Sequence, residues 1–160
     1  MSITIIVAIG QNNELGKNNG LIWHIKEDLK FFKEHSIGKP CVMGLNTFYS
    51  LPKMLPGRKH IVLSDVEVNL PEGVEVFHDM DSLKEYISTI PGEVMIIGGA
   101  SMYRQFLPLA DKMLITEIHA TSPADVYFPT FNKDEWNRKV LYSVNENGVI
   151  FDHVEYVRKK

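Results

Sequence analysis

Short apolar runs alternate with amphipathic stretches along the chain, and the period of each run sets the element it predicts. Runs at 3–9, 40–43, 60–64, 74–77, 94–97 and 112–119 predict strands, while helical spacing predicts helices near 26–35, 45–51, 82–89 and 100–107. "IVL" and "VMII" are apolar without interruption, the pattern of strands covered on both faces of a largely parallel sheet. Near the end, "RKVLYSV" and "VIFDHVEYV" flank the turn-prone "NENG", which predicts an antiparallel hairpin closing that sheet. The predicted fold class is α/β: one domain over 1–160, a mostly parallel central sheet flanked by about four helices.

One polar position breaks the pattern. In "NGLIWHIKEDLKFFKEH", residues 19 to 35, the helix can be wound at about 100° per residue with Leu29 at zero; Phe32 then falls near 300°, Phe31 near 200° and Asp28 near 260°. Lys26, Glu27, Lys30, Lys33 and Glu34 fall on the opposite arc, which reads as the solvated face. Asp28 therefore sits between two phenylalanines on the apolar side. An acid in a first turn has an ordinary explanation, because free backbone N–H groups and the helix dipole favour it there. Against that stand Trp23 just upstream, the flanking aromatics, and the lack of an apolar-face Arg or Lys to pair with. Buried unpaired carboxylates are costly and concentrate at functional sites.

A chain of 160 residues is long enough for one substantial core. Its 44% hydrophobic and 23% charged residues are ordinary globular usage. Twenty acids against 17 bases give a net charge of −3, and only Arg158, Lys159 and Lys160 cluster, so no nucleic-acid surface is expected. "SITIIVAIG" is too short to span a membrane and lacks a basic flank, which makes the cytoplasm the expected location. Cys41, alone in "PCVMG", reads as a small buried hydrophobe. His24, His35, His60, His78, His119 and His153 show no metal-ligand spacing, and no metal is expected.

Several connections carry candidate chemistry. "GQNNELGKNNGL", residues 10 to 21, reads as a long polar loop ending beside Trp23 and Asp28, the profile of a lid over a site. "VMGLNTF" passes from a strand through Gly44 into a helix, and "MIIGGASMY" does so through Gly98 and Gly99. Each would aim free N–H groups at a ligand on the carboxyl edge of the sheet, which suits phosphate. Each alone is more often just a tight turn, but two in one small α/β domain point to a dinucleotide. Arg58, after the Pro-Gly turn of "LPGRKHIVLS", is placed to hold a carboxylate by two hydrogen bonds.

With those parts in order, the chain resembles the bacterial dihydrofolate reductases. The resemblance is carried by "IVAIGQNNELG", "GLIWHIKEDLKFFK", "KPCVMGLNTFYSL", "LPGRKHIVLS", "VMIIGGASMYRQFLP", "LITEI" and "ADVYFP". It implies hydride transfer from NADPH to 7,8-dihydrofolate, giving 5,6,7,8-tetrahydrofolate. Asp28 would bind the pterin 2-amino group and N3 and promote protonation at N5, with Thr116 supporting it, Trp23 helping to position a water, and Leu21 in the closing loop Gly16–Leu21. Ile6, Val7, Ala8, Leu29, Phe32, Leu51 and Leu55 would line the substrate pocket, and Arg58 would bind the α-carboxylate of the glutamate tail.

The same resemblance assigns the cofactor side. Ile97, Gly98, Gly99 and Tyr103 would face the nicotinamide and pyrophosphate, with Ile97 and Tyr103 also touching substrate and the Gly98–Gly99 peptide expected to be cis. Ala8, Ile9, Leu15, Gly16 and Asn19 would contact the cofactor from the first strand and loop. Gly44, Leu45, Asn46 and Thr47 would contact it from the first glycine turn, and Ala100, Ser101 and Met102 from the second. Leu63, Ser64, Asp65 and His78 would lie near its adenosine end. Diaminopyrimidine and methotrexate-type antifolates are expected ligands, and the expected state is a monomer.

The chain departs from the family pattern where cations usually hold the 2′-phosphate of NADPH. Those places read Leu45 and Ser101, and Asp65 adds a negative charge nearby; Asn46, Thr47, Ser64 and His78 are the remaining donors, so use of NADH is also open. "LIWHIK" further lacks the prolines common around the Trp-containing segment. Two rivals frame the reading. A pyrimidine reductase of riboflavin biosynthesis shares fold and cofactor but has no reason to place an acid beside Trp23. A non-catalytic folate binder would keep the pocket without turnover. A plain structural domain would explain neither Asp28 nor the paired glycine turns.

Overall fold

The computed structural model describes residues 2–17 and 20–160. An eight-stranded sheet forms its centre. Strands β1 (Ser2–Ile9), β4 (Cys41–Gly44), β5 (His60–Leu63), β6 (Glu75–Phe77), β7 (Glu93–Gly98) and β8 (Lys112–Ile118) run parallel, and β10 (Trp136–Glu146) and β11 (Val149–Arg158) form the antiparallel end, in the order β10-β11-β8-β1-β7-β4-β5-β6. The apolar runs went where their composition sends them. Ile5, Val42, Ile61, Val94, Met95, Ile96 and Met113 are fully buried, as expected of strands sandwiched between layers.

Among the described residues four α-helices cover the sheet: α1 (Lys26–Ser36), α2 (Leu45–Ser50), α3 (Met80–Ser88) and α4 (Ala100–Phe106). Helix α3 begins two residues before the expected start because Asp79 caps it, accepting the Ser82 N–H at 2.8 Å. Cys41 is buried as expected, and burial pushes its thiol up to about 11, so it is an inert core group. A half-buried charge cluster sits where β7 begins. Glu93 meets Lys39 at 2.5 Å and Lys112 at 3.1 Å and accepts the Thr4 hydroxyl.

Two sequence expectations need correction. The 10–21 segment is not loop throughout: β2 (Glu14–Lys17) pairs with β3 (Gly20–Leu21) and with β9 (Val126–Tyr127) in a small separate sheet. Strands of two to four residues are too short to carry a period-2 signal. Glu14 anchors them. Its buried carboxylate accepts the backbone N–H groups of Asn12 at 2.6 Å and Ser122 at 2.8 Å; burial pushes its pKa up, but these backbone donors outweigh burial and hold it below the usual range.

The second correction concerns Glu27, assigned above to the solvated face. Its side chain is only 23% exposed, because the hairpin packs across the start of α1; Glu27 Oε1 accepts the Tyr142 hydroxyl at 3.0 Å and lies 3.5 Å from His153 Nε2.

Candidate active site

The carboxyl ends of β1, β4, β5 and β7 lie on one edge of the sheet, and strand order reverses about β1, with β7 and β4 to one side and β8 to the other. In open α/β sheets that reversal leaves a crevice for ligands. Helix α1 stands at its rim. Phe31 anchors the helix to the core, while Phe32 packs with Ile6, Leu45, Leu51 and Ile97, and Leu29 is left 56% exposed.

Asp28 projects from the first turn of α1, yet it does not cap the helix. The N–H groups of Lys26 and Glu27 are instead taken by the Glu146 carboxylate on β10, both at 2.9 Å. The Asp28 carboxylate therefore takes no part in closing these N–H groups, although the helix dipole still favours an acid in this turn. Asp28 Oδ1 accepts the hydroxyl of Thr116 at 2.6 Å, and among the described residues no Lys or Arg forms an ion pair with it. Thr116 on β8 stands in register with Ala8 on β1, so the pair spans from helix to sheet centre. Burial raises the pKa of Asp28; the Thr116 hydrogen bond opposes this and the neighbouring Glu27 charge adds to it.

Ile6, Val7 and Ile9 are buried along β1, with Ala8 half-buried beside Trp23 and Ile25. Trp23 closes over Gly10, where an added Cβ would lie 2.6 Å from the indole and from the Glu14 carboxylate; only glycine fits. Leu21 is 57% exposed at the end of β3, Leu15 packs on the core, and Gly16 pairs with Leu21, whereas Asn19 lies outside the described residues. Arg58 donates to Ser36 Oγ at 2.8 Å, Pro56 O at 2.7 Å and Lys33 O at 3.2 Å, which holds its guanidinium 5.8 Å over the Phe32 ring. Leu55 is fixed next to it through its N–H to His60 Nε2 at 3.0 Å.

On the other side of the crevice, Gly44 and Gly99 lead into α2 and α4 from neighbouring strands, and the Gly98–Gly99 peptide is cis, as the resemblance implied. Gly98 has φ +136°, and an added Cβ there would meet Thr47 Oγ1 at 3.2 Å. The two turns thus touch. Tyr103 is buried and donates its hydroxyl to Ile6 O at 2.9 Å; burial and the Asp28 charge both push its pKa far up. Met102 is buried beneath these turns, while Ala100 is half-buried and Ser101 is exposed.

The outer subsite is polar but short of cations. Ser64 is buried, donating to Val66 O at 2.7 Å, and His78 Nδ1 lies 2.8 Å from Ser64 O with Nε2 3.7 Å from Glu67. Asn46 and Asp65 are exposed, Thr47, Leu45 and Leu63 half-buried.

Comparison with known proteins decides the family. The family model described as dihydrofolate reductase matches residues 2–158. The chain belongs to the dihydrofolate reductase family. It is 37% identical over 164 residues to the dihydrofolate reductase of Neisseria gonorrhoeae, covering 99% of each chain. It is 40% identical over 136 residues to the type 3 dihydrofolate reductase of Salmonella typhimurium, covering 85% of this chain and 83% of the other. A solved dihydrofolate reductase from Enterococcus faecalis, complexed with NADP(H) and RAB-propyl, superposes with a TM-score of 0.90 at 30% identity, over 99% of this chain and 97% of that one. Within this family the sequence reading missed two residues that shape the site, Glu146 and His153. Each lies more than a hundred residues from α1 and carries no local motif.

Proposed function

We propose that the crevice between α1 and the sheet edge binds dihydrofolate, with Asp28 as the residue that fixes the pterin and promotes its protonation. The chain reduces 7,8-dihydrofolate to 5,6,7,8-tetrahydrofolate. The observation that carries the site reading is the Asp28–Thr116 pair: a carboxylate not used as a helix cap, with Oδ1 held by Thr116 and Oδ2 without a hydrogen-bond partner among the described residues. A free oxygen beside a held one suits a bidentate partner with two adjacent N–H donors, such as the 2-amino group and N3 of a pterin. Thr116 fixes the plane of that contact by fixing Oδ1.

NADPH, when bound, supplies the hydride that reaches C6. The remaining requirement is a proton at N5, since C6 accepts hydride readily only when the imine is cationic. Asp28 serves that requirement by its raised pKa, through water drawn in at Trp23. Ile6, Val7, Ala8, Leu29, Phe32, Leu51 and Leu55 give the ring and benzoyl group an apolar bed, and Arg58, already aligned by three acceptors, receives the α-carboxylate. Ile97, Gly98, Gly99 and Tyr103, with Thr47 packed beneath, form a close-fitting floor for the nicotinamide end, where a side chain at 98 would intrude.

Leu45 and Ser101 leave the 2′-phosphate with neutral donors, so NADPH is the cofactor with a narrowed advantage over NADH. The lid expected over residues 16 to 21 includes residues 18 and 19, which lie outside the described residues. A protonated diaminopyrimidine, presenting the same two donors to Asp28, is bound as a competitive antifolate, as are methotrexate-type compounds. We infer a cytoplasmic monomer, and among the described residues no helix is long and apolar enough to cross a membrane. Following nicotinamide absorbance with dihydrofolate tests the proposal: turnover supports it, whereas binding of both ligands without oxidation of the cofactor makes the chain a non-catalytic folate binder.

A further inference from the structure

One buried titratable side chain has no part in the chemistry above. His153 on β11 is fully buried. Its ring stacks on Phe31 with centroids 3.9 Å apart and planes 3° apart, and meets Tyr142 and Phe151 edge-on at 4.8 and 5.4 Å. A phenylalanine would satisfy all of those contacts. The two nitrogens are what an apolar ring would lack. Nδ1 lies 2.9 Å from Thr116 Oγ1, the hydroxyl that is itself 2.6 Å from Asp28 Oδ1, while Nε2, without a hydrogen-bond partner among the described residues, faces Glu27 Oε1 at 3.5 Å.

Counting protons decides how the chain of contacts must be wired. Thr116 has one hydroxyl hydrogen. When Asp28 is ionised, the 2.6 Å contact claims that hydrogen, so the threonine oxygen can only accept from His153. The imidazole must then carry its hydrogen on Nδ1, and Nε2 is bare. The opposite neutral tautomer would set the Nδ1 lone pair against the threonine lone pairs at 2.9 Å, a closer conflict than bare Nε2 against Glu27 at 3.5 Å. When Asp28 is protonated it can donate to Thr116, which turns its hydrogen to Nδ1, and the imidazole hydrogen is then free to sit on Nε2 facing Glu27.

We propose that His153 is a positioning residue for the reductase reaction: through Thr116 its Nδ1–H polarises the hydroxyl that holds Asp28, and its tautomer follows the protonation state of Asp28. The proposal rests on the assignment of Asp28 as the pterin-binding acid. The groups facing the ring are Glu27 and His35 from α1, Thr116 from β8, Tyr142 from β10, and Asp152 on its own strand, with Asp28 reached only through Thr116. Glu27 and Asp152 favour an imidazolium and His35 opposes it, while burial is the largest influence and lowers the His153 pKa, which favours the neutral ring. A neutral ring is what a tautomer switch requires.

The test compares the pH dependence of hydride transfer, with NADPH and dihydrofolate saturating, in wild type, His153→Phe, Thr116→Val and the double variant. His153→Phe keeps the stack on Phe31 but removes the Nδ1 donor. The limb governed by Asp28 is expected to move up by about half a pH unit, because the carboxylate loses a polarised donor, and to move no further when the same change is made on Thr116→Val. Nitrogen NMR of labelled wild-type holoenzyme reads the tautomer without mutation, with the hydrogen expected on Nδ1 while Asp28 is ionised. A limb that stays put in His153→Phe, an equal shift in the Thr116→Val background, or an Nε2–H tautomer at neutral pH overturns the proposal. Loss of the limb in Asp28→Asn confirms its owner; if the limb survives that change, the Asp28 assignment fails instead.

Discussion

Glu146 accepts the backbone N–H of Lys26 across 120 residues of sequence, at 2.9 Å, and its other oxygen takes the N–H of Glu27. A carboxylate borrowed from the C-terminal hairpin thereby performs the capping that Asp28 would otherwise be recruited for. Asp28 is released toward Thr116. Glu146→Ala is expected to lower stability by about 1 kcal/mol, a drop in Tm of about 2–4 °C, and to raise KM for dihydrofolate more than it changes kcat. Thermal melts and initial rates on the one variant check both.

Glu93 contributes stability that acid removes. Burial raises its pKa, but Lys39, Thr4 and Lys112 outweigh that and hold it at about 2, against an ordinary 4.5. A depressed carboxylate contributes stability that is complete above the unfolded pKa and lost as pH falls through the folded one. Glu93→Gln is therefore expected to destabilise by about 2 kcal/mol at pH 7. The difference from wild type should shrink below pH 4.5 and vanish near pH 2, as urea titrations at several pH values would show.

Much of this site could be read from one sequence, and the reason is local. Asp28 was conspicuous because helical winding alone sets it between Phe31 and Phe32, and the glycine turns because strand, glycine and helix signals are contiguous. Glu27, Glu146 and His153 were illegible for a shared reason: their roles arise where the hairpin packs on α1, a contact no local period encodes. Along β11, His153 is simply one of the alternate positions that turn inward, and nothing in "FDHVEY" distinguishes a histidine facing Thr116 from one packed for volume. Glu14 was missed similarly, because a carboxylate in a Gly- and Asn-rich segment reads as solvated until its backbone donors are seen.

On the proposed cofactor reading, Leu45 lies at the 2′-phosphate, where a cation would add binding. Leu45→Arg is expected to raise the NADPH-to-NADH ratio of kcat/KM by about tenfold, the worth of one charge-assisted pair, with most of the change in KM for NADPH. An unchanged ratio would place the adenosine end elsewhere.

Gly98 combines φ +136° with a Thr47 hydroxyl 3.2 Å from any Cβ. Gly98→Ala is expected to weaken cofactor binding by at least about tenfold and to destabilise the fold by about 2 kcal/mol. Thr47→Ala makes room for the methyl and should recover part of the binding but little of the backbone penalty. Nucleotide titration followed by fluorescence separates the two.

Burial holds the Asp28 pKa above its ordinary 3.8, so the ionised acid is a burden on the folded state. The sign is opposite to that of Glu93. The penalty is absent below the unfolded pKa, grows as pH rises toward the folded one, and is complete above it. Asp28→Asn should therefore match wild type in stability near pH 3 and exceed it at pH 7, a gain bought with function.

The most direct measurement is kcat/KM of Asp28→Asn with dihydrofolate and NADPH across pH. The account predicts a loss of at least about 100-fold at pH 7 together with disappearance of the acid-governed limb of the profile. A variant that keeps most of its activity at pH 7, with the limb in place, would contradict it.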